Sequence, residues 1–420
     1  MNKKKILILG SGFGGTYTLR HMIRSLKRNE NPDITMISDT NFALFSPLLH
    51  EAAMGSIEPR HIAYPIRKLQ GRSRFNFVQA SVDKIDLGGR KVITTRGTFD
   101  YDYLVPALGS FPDMSTLKHR EKFVFTLKTL LDAILIRNHI IDVFERASME
   151  KDQKRQQELL TFVVAGGGYT GVQLVAELRD FVRVSLVKFY RSINPKNIRI
   201  MLVEASNKIM SELNPKLGAY SMKHLMNTGV EVRLNSRVTS SMENHIELNE
   251  EEIVPANTLL WVAGGIINPR IAEMDIDTDS IGRVFVDNNL EVNGFPGVYG
   301  VGDCANFENP KTHQPMPPRA HTAVRQAKIV AHNILADIRG KSKKPYHYSQ
   351  DAEIVSLGSS KAIFRYHGLR LYGLPARLLW LSAYSTLTPG RYNRMRIIGD
   401  WVWSKIFGRD ITYLPMPEQK

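Results

Sequence analysis

The stretch Phe162-Val-Val-Ala-Gly-Gly-Gly-Tyr-Thr-Gly171, running on into Val-Gln-Leu-Val-Ala-Glu177, decides the fold. A β-branched apolar run ends in Gly166, Gly168 and Gly171, and a segment with helical apolar spacing follows. This is G-x-G-x-x-G set between a strand and a helix. Gly166 suits the tight turn, Gly168 admits a pyrophosphate against the backbone, and Gly171 lets helix and strand pack closely. The pyrophosphate would rest on the helix N-terminus, where free N–H groups and the dipole favour an anion. Glycine-rich strand–helix turns also occur without a ligand, so one copy is weak evidence. The chain opens with a second. Ile6-Leu-Ile-Leu9 leads into Gly10-Ser-Gly12-Phe-Gly14-Gly15, with Gly10, Gly12 and Gly15 at the same spacing.

Each copy is followed by another strand. Ile198 to Val203 ends at Glu204, where a carboxylate would hydrogen-bond a ribose 2′-hydroxyl and repel a 2′-phosphate. That favours NADH over NADPH. In the first copy Asp33 to Ile37 ends at Ser38-Asp39, and Asp39 is the ribose candidate, with an exposed loop aspartate as the competing reading. Two further strands end in glycine, at Gly109 and at Gly264-Gly265, where backbone can approach a ligand. A late strand ends in Gly302-Asp303, whose carboxylate could hold a polyol chain.

With 420 residues the chain has room for two or three domains. Its 43% hydrophobic and 23% charged content argue against wholesale disorder. A net charge of +15 points to an anionic partner: nucleic acid, an acidic lipid surface or a phosphorylated cofactor. Cys304 is the single cysteine, which excludes an intramolecular disulfide and any C-x-x-C site. No metal ligand set or hydrolytic triad stands out. No stretch reaches the roughly eighteen apolar residues of a spanning helix. The apolar run after Lys3-Lys4-Lys5 is too short for a signal peptide and reads as a first strand.

Between the motifs, Phe42 to Gly55 reads as a buried apolar connector, and Phe75 to Arg96 as short strands turning at Gly88-Gly89. Thr126 to about Glu158 has helical spacing, Gly282 to Asp303 is hairpin-like, and a helix over 320–338 follows a proline-rich loop from Pro310 to Pro318. The tail is distinct. From Lys361 to Lys420 it carries ten Lys/Arg against three acids, interleaved with leucines and with Trp380, Trp401 and Trp403, three of the chain's four tryptophans. Basic helices with Trp/Leu faces have the composition of helices lying in a membrane interface. A core-packing subdomain or a dimer interface is the alternative. Nucleic-acid binding is disfavoured, because the basic residues are spread among bulky aliphatics.

Two G-x-G-x-x-G units followed by a Gly-Asp strand are the order of the two-dinucleotide flavoproteins. More narrowly, the chain resembles the type II NADH:quinone oxidoreductases, the non-proton-pumping NADH dehydrogenases. The similar segments run in order from residue 5 to about 410: Phe45-Ser-Pro-Leu-Leu with Gly55 and Ile66-Arg67, Phe162 to Gly168, Trp261 to Gly264, Val301-Gly-Asp303, and Pro317 to Gln326. Gly373 through Trp403 resembles that family's membrane-attaching helices. The resemblance implies an α/β fold of two Rossmann-like domains, the NADH domain inserted in the FAD domain. The FAD parts fall at 1–115 and 282–345, the NADH domain at 116–281, and a membrane-associating region at 346–420. It implies FAD on Gly10, Gly12, Gly14, Gly15, Asp39, Gly109, Gly302 and Asp303, and NADH on Gly166, Gly168, Gly171, Glu204 and Gly264.

The chain departs from the family at several places. Ser38 stands at the first acidic position, Leu108 replaces the threonine of Ala-Thr-Gly, Gln173 replaces a glutamate, His321 replaces a glutamine, and Arg325 stands where glutamine is frequent. Gln173 can hydrogen-bond a nicotinamide amide, and His321 can donate to a quinone carbonyl or to the flavin edge. These two are the catalytic candidates. The expected function is electron transfer from NADH through FAD to a membrane quinone, by a peripheral protein on the cytoplasmic face. Homodimer formation is left open. The rivals are a soluble-acceptor NADH oxidoreductase and a non-catalytic sensory flavoprotein.

Overall fold

The computed structural model describes residues 3–69, 75–120, 123–309, 314–348 and 352–414. Residues 310–313 of the proline-rich loop, and Glu418 and Lys420 of the tail, lie outside the described residues. The chain divides into two compact units: 1–45, 63–111 and 265–350 form the first, and 46–62, 112–264 and 351–420 the second. The tail from 351 on, expected as a region of its own, groups with 112–264 in the second unit. The assignment of 46–62 to the second unit was not foreseen from sequence.

In the first unit four parallel strands lie in the order Asn76–Gln79, Asp33–Ser38, Lys5–Leu9, Tyr103–Pro106. The Lys5–Leu9 strand is central because Ile6 to Leu9 are apolar on both faces, as a strand covered on both sides requires. Helices Phe13–Ser25 and Ala320–Ile338 pack together over Ile6, Ile8, Leu19, Met22, Val330 and Ile334. A three-stranded antiparallel meander, Val82–Asp86, Lys91–Thr94 and Gly97–Asp100, uses the turn expected at Gly88-Gly89.

The second unit repeats this plan. Five parallel strands run in the order Val124–Thr126, Thr258–Trp261, Thr161–Ala165, Arg199–Val203, Glu231–Arg233. It has its own antiparallel meander, Val238–Ser241, His245–Leu248 and Glu252–Pro255. The helix expected over 126–158 is two helices. Leu130–Met149 starts at a capping box, with Thr129 and Asp132 each holding the other's backbone N–H, and Gln153–Leu159 restarts at an Asp152 cap. Glu150, whose carboxylate accepts from the Lys151 and Asp152 N–H groups, and the Asp152 cap break what apolar spacing reads as continuous.

The tail is only partly helical. Glu353–Ser356, Ala362–Tyr366 and Leu369–Gly373 form an antiparallel sheet, and only then come helices Leu374–Leu387 and Arg391–Phe407. Ala376, Arg377 and Trp380 of the first helix and Asn393 and Ile397 of the second are buried. Leu374, Leu378, Leu387, Met395, Val402, Trp403, Ile406 and Phe407 are exposed. The tail therefore has a core-packing face and an unusually apolar outer face. No described helix is long and apolar enough to cross a membrane.

His139 is buried in the second unit, 2.8 Å from the Thr258 hydroxyl and tilted against the Phe125 ring at 4.5 Å. Burial, reinforced by the Arg146 charge, lowers its pKa from 6.5 to about 3. The folded state keeps this ring neutral, whereas the unfolded chain binds a proton below pH 6.5. Stability from this site is thus complete above that pH and is lost as pH falls toward about 3. Denaturant unfolding between about pH 7.5 and about pH 5 should show the loss. His139→Gln should flatten that slope, and an unchanged slope would remove His139 from the acid sensitivity.

Candidate functional site

The two glycine turns are built alike. Gly10 and Gly166 adopt φ of +94° and +107°, a region that L side chains rarely enter. Their amides donate to the Ile37 and Val203 carbonyls of the neighbouring strands, at 2.7 and 2.8 Å. A Cβ on Gly15 or Gly171 would collide with the carbonyl oxygen of Gly10 or Gly166. Helices Phe13–Ser25 and Tyr169–Asp180 therefore begin hard against the strand ends. Both N-caps are glycines, Gly12 and Gly168, with no side-chain cap. Among the described residues no atom lies within 4 Å of a Cβ built on either. Uncapped first-turn amides opening on free space fit a pyrophosphate. Gly14 serves packing instead, since a Cβ there would lie 2.9 Å from Val301 Cγ1.

The ribose ends differ. Glu204 is half-buried; its Oε2 accepts from Gly167 N–H at 2.6 Å, and its Oε1 accepts from the backbone N–H and hydroxyl of Ser206 at 2.7 and 2.6 Å. The carboxylate braces its own glycine loop and retains lone pairs for a ligand hydroxyl. In the first unit the corresponding strand end holds Ser38, buried and 2.9 Å from the Ser11 hydroxyl. Asp39, one residue on, is exposed.

The other first-unit candidates converge. The Gly109 carbonyl accepts from Asn268 N–H at 3.1 Å, Gly302 donates its N–H to Gln326 Oε1 at 2.8 Å, and Asp303 Oδ2 accepts from the Ser110 hydroxyl at 2.7 Å. The strand expected before Gly302-Asp303 is instead isolated bridges at Val298 and Tyr299 leading into a 3-10 turn at Gly302–Cys304, and that turn meets Gly109-Ser110 as a polyol-binding corner needs. His321 is exposed on the first turn of helix Ala320–Ile338. In the second unit Gly264, at φ +66°, lies against Asp113, whose carbonyl accepts from Trp261 Nε1 at 2.8 Å. Gln173 is buried, and its Oε1 accepts from Ser356 N–H at 3.3 Å. Expected as a hydrogen-bonding contact for a nicotinamide amide, this side chain is also a tie to the first strand of the tail.

Reading the sequence missed a buried charge cluster in the second unit. Glu51, fully buried, accepts from Arg377 at 2.8 Å and from Trp401 Nε1 at 2.5 Å. Glu177, also fully buried, accepts from Arg409 at 2.6 Å. The Arg377 guanidinium further donates to the Ser356 hydroxyl at 2.8 Å and lies 4.3 Å over the Trp380 ring. Burial pushes the Glu51 carboxyl upward, but Arg377, His50 and Trp401 outweigh it and hold it below the ordinary range. Burial lowers the pKa of the neighbouring His50 and raises that of Tyr384 to about 12. One signal was available: Glu51 interrupts an otherwise apolar run, Leu48-Leu49-His50-Glu51-Ala52-Ala53. Arg377 and Arg409 carried none, because in a basic tail they look like surface charge.

The sequence matches the pyridine nucleotide-disulphide oxidoreductase family over residues 4–327. A probable NADH dehydrogenase of Dictyostelium discoideum is 32% identical over 98% of this chain and 92% of that protein. A type II NADH:quinone oxidoreductase of Staphylococcus aureus is 28% identical over 90% of this chain and 93% of that one. The structure of NDH2 from Plasmodium falciparum in complex with NADH superposes with a TM-score of 0.88 at 19% identity, covering 98% of this chain and all of that one. This last likeness is one of fold.

Proposed function

The chain belongs to the pyridine nucleotide-disulphide oxidoreductase family and to its type II NADH:quinone oxidoreductases, and on that premise we propose that it passes two electrons from NADH, through FAD, to a membrane quinone without pumping protons. It is a flavoprotein that oxidises NADH. The observation that carries the reading is the pair of uncapped helix starts at Gly12 and Gly168, one in each compact unit.

FAD supplies the two-electron chemistry when bound, and the chain binds, orients and excludes water. Gly10, Gly12 and Gly15 would present the first helix start to its pyrophosphate, with Gly14 keeping that helix seated. Ser38 and Asp39 would meet its ribose, and Gly109, Gly302 and Asp303 its polyol chain. Gly166, Gly168 and Gly171 would hold NADH, with Glu204 accepting from its ribose hydroxyls and Gly264 offering close backbone. His321 can donate to a quinone carbonyl. Gln173 has a second amide function, its NH2, for the nicotinamide while its oxygen stays on Ser356.

The quinone is a lipid, which makes the apolar outer face of the tail meaningful. Trp403, Ile406 and Phe407 are each about two-thirds exposed, beside Arg396 and Lys405. Such a face suits the headgroup boundary of an anionic membrane. The reading places the protein peripherally on the cytoplasmic face, where NADH is available.

Purified protein should be yellow, bleach with NADH and recolour with a short-chain quinone. Flavin that NADH cannot bleach would leave the sensory reading, and recolouring only by oxygen or a small soluble acceptor would leave the oxidase reading. Glu204→Gln should narrow the preference for NADH over NADPH by roughly tenfold in kcat/KM, the scale of one charge–charge contact; unchanged selectivity would take Glu204 out of the site. Trp403→Glu with Phe407→Glu should abolish sedimentation with anionic vesicles while NADH oxidation by a soluble acceptor persists. Retained sedimentation would defeat the attachment.

A further inference from the structure

Both tail helices converge on one carboxylate that belongs to neither. Glu51 sits on the short helix Leu49–Ala53, in a segment far from the tail in sequence. Its Oε1 takes Arg377 of helix Leu374–Leu387, and its Oε2 takes Trp401 of helix Arg391–Phe407. Neither oxygen is solvated, since the residue has no exposed surface. No other acid among the described residues accepts from both helices. The connection continues on the other side of Arg377. Its second nitrogen donates to the Ser356 hydroxyl, and the Ser356 N–H donates to Gln173. A continuous hydrogen-bonded chain, Gln173–Ser356–Arg377–Glu51–Trp401, thus joins the nucleotide-binding helix to both tail helices.

We propose that Glu51, acting through Arg377 and Trp401, is the positioning residue for the acceptor end of the enzyme, setting the two tail helices against each other so that a membrane quinone is delivered in register. The inference rests on the quinone reading above. Its physical basis is geometric. A carboxylate has two divergent oxygens, and here each is committed to a different helix, so the pair of helices is fixed at one point. Apolar contact between Trp380 and Trp401, with ring centroids 5.8 Å apart, has no comparable directionality. The ring of Trp380 stacks on Tyr384 at 4.2 Å and lies under the same guanidinium, so moving Arg377 disturbs the inner face of its helix as well. The outer face, which would meet the lipid, is untouched by this arrangement. Attachment and positioning are therefore separable.

Glu51→Gln keeps the shape and an oxygen for Trp401 but withdraws the charge from Arg377. Arg377→Lys keeps the charge, but one ammonium cannot reproduce the planar fork that spans Glu51 and Ser356. In either variant, backbone amides of residues 374–407 should exchange with deuterium roughly tenfold faster or more, while those of the Thr161–Ala165 strand keep wild-type protection. KM for a membrane quinone should rise by about tenfold, with turnover of a water-soluble acceptor within about twofold of wild type and vesicle sedimentation unchanged. Unaltered exchange over 374–407 in both variants overturns the proposal, as does an equal loss with both acceptors. If one variant does not fold, the other is read alone. Collapse of both overturns the proposal too, by making Glu51 a determinant of folding. If the wild type reduces no quinone, the functional reading fails, and the exchange measurement still decides whether Glu51 holds the helices.

Discussion

The contact between the third glycine of each motif and the carbonyl oxygen of the first constrains everything else in the two units. It sets a helix so near a strand end that no Cβ fits, at Gly15 against Gly10 and at Gly171 against Gly166. A helix held there starts directly beyond the sheet, and its N-cap faces open space rather than a neighbouring side chain. The cap positions are glycines with free space beside them, so first-turn amides and the helix dipole point at one place. The sheet order follows. The motif strand must be central, because its helix and the strand that supports the turn through the Ile37 or Val203 carbonyl flank it. Two units with little detailed identity of side chains share the plan because they share this one close approach.

The second unit carries the cost of a buried charge cluster. Glu51, Glu177, Arg377 and Arg409 are withdrawn from water, which for isolated ions is strongly unfavourable. Pairing at 2.8 and 2.6 Å offsets the desolvation, and leaving either acid without its arginine would cost about 3–5 kcal/mol. A hydrophobic substitute of equal volume could supply comparable stability. What it could not supply is direction. An ion pair with a bound indole on the second oxygen specifies one orientation of two helices, whereas the leucine-rich faces around it would tolerate several.

Sequence patterning revealed most of the fold because the fold is dominated by short-range rules. The two glycine spacings, the runs Ile6–Leu9 and Phe162–Ala165, and the strand ends at Glu204 and Gly264 are local signals that lie where the structure puts strands and helix starts, whereas Asp303 sits in a 3-10 turn. The errors came from features that are not local. The helix over 126–158 is interrupted by side-chain caps, a matter of single polar atoms that periodicity ignores. The assignment of 46–62 to the second unit, and the burial of Arg377 and Arg409, depend on pairings with sequence separations of 326 and 232 residues. Counting the tail's basic residues as surface charge overstated its outward charge, since those two are paired inside.

The remaining asymmetry lies between the nucleotide sites themselves. Their backbones match in turn, φ angles and cap, yet one ends its second strand in a carboxylate and the other in a buried hydroxyl. Glu204 holds Gly167 N–H, and under the proposed reading the same carboxylate would also meet a ribose. Ligand recognition and loop geometry would then be coupled there: losing the acid would loosen the cradle as well as any ribose contact. In the first unit Ser38 turns toward Ser11 rather than toward a loop amide, and the charge stands one residue away on exposed Asp39. A nucleotide held by hydroxyls and helix amides alone depends more on its pyrophosphate and on the corner built by Ser110 and Asp303. Under the proposed reading, the same glycine turn would serve one site anchored by charge at the ribose and another anchored mainly along its phosphates and polyol. That suits a nucleotide that comes and goes in the one and a resident cofactor in the other.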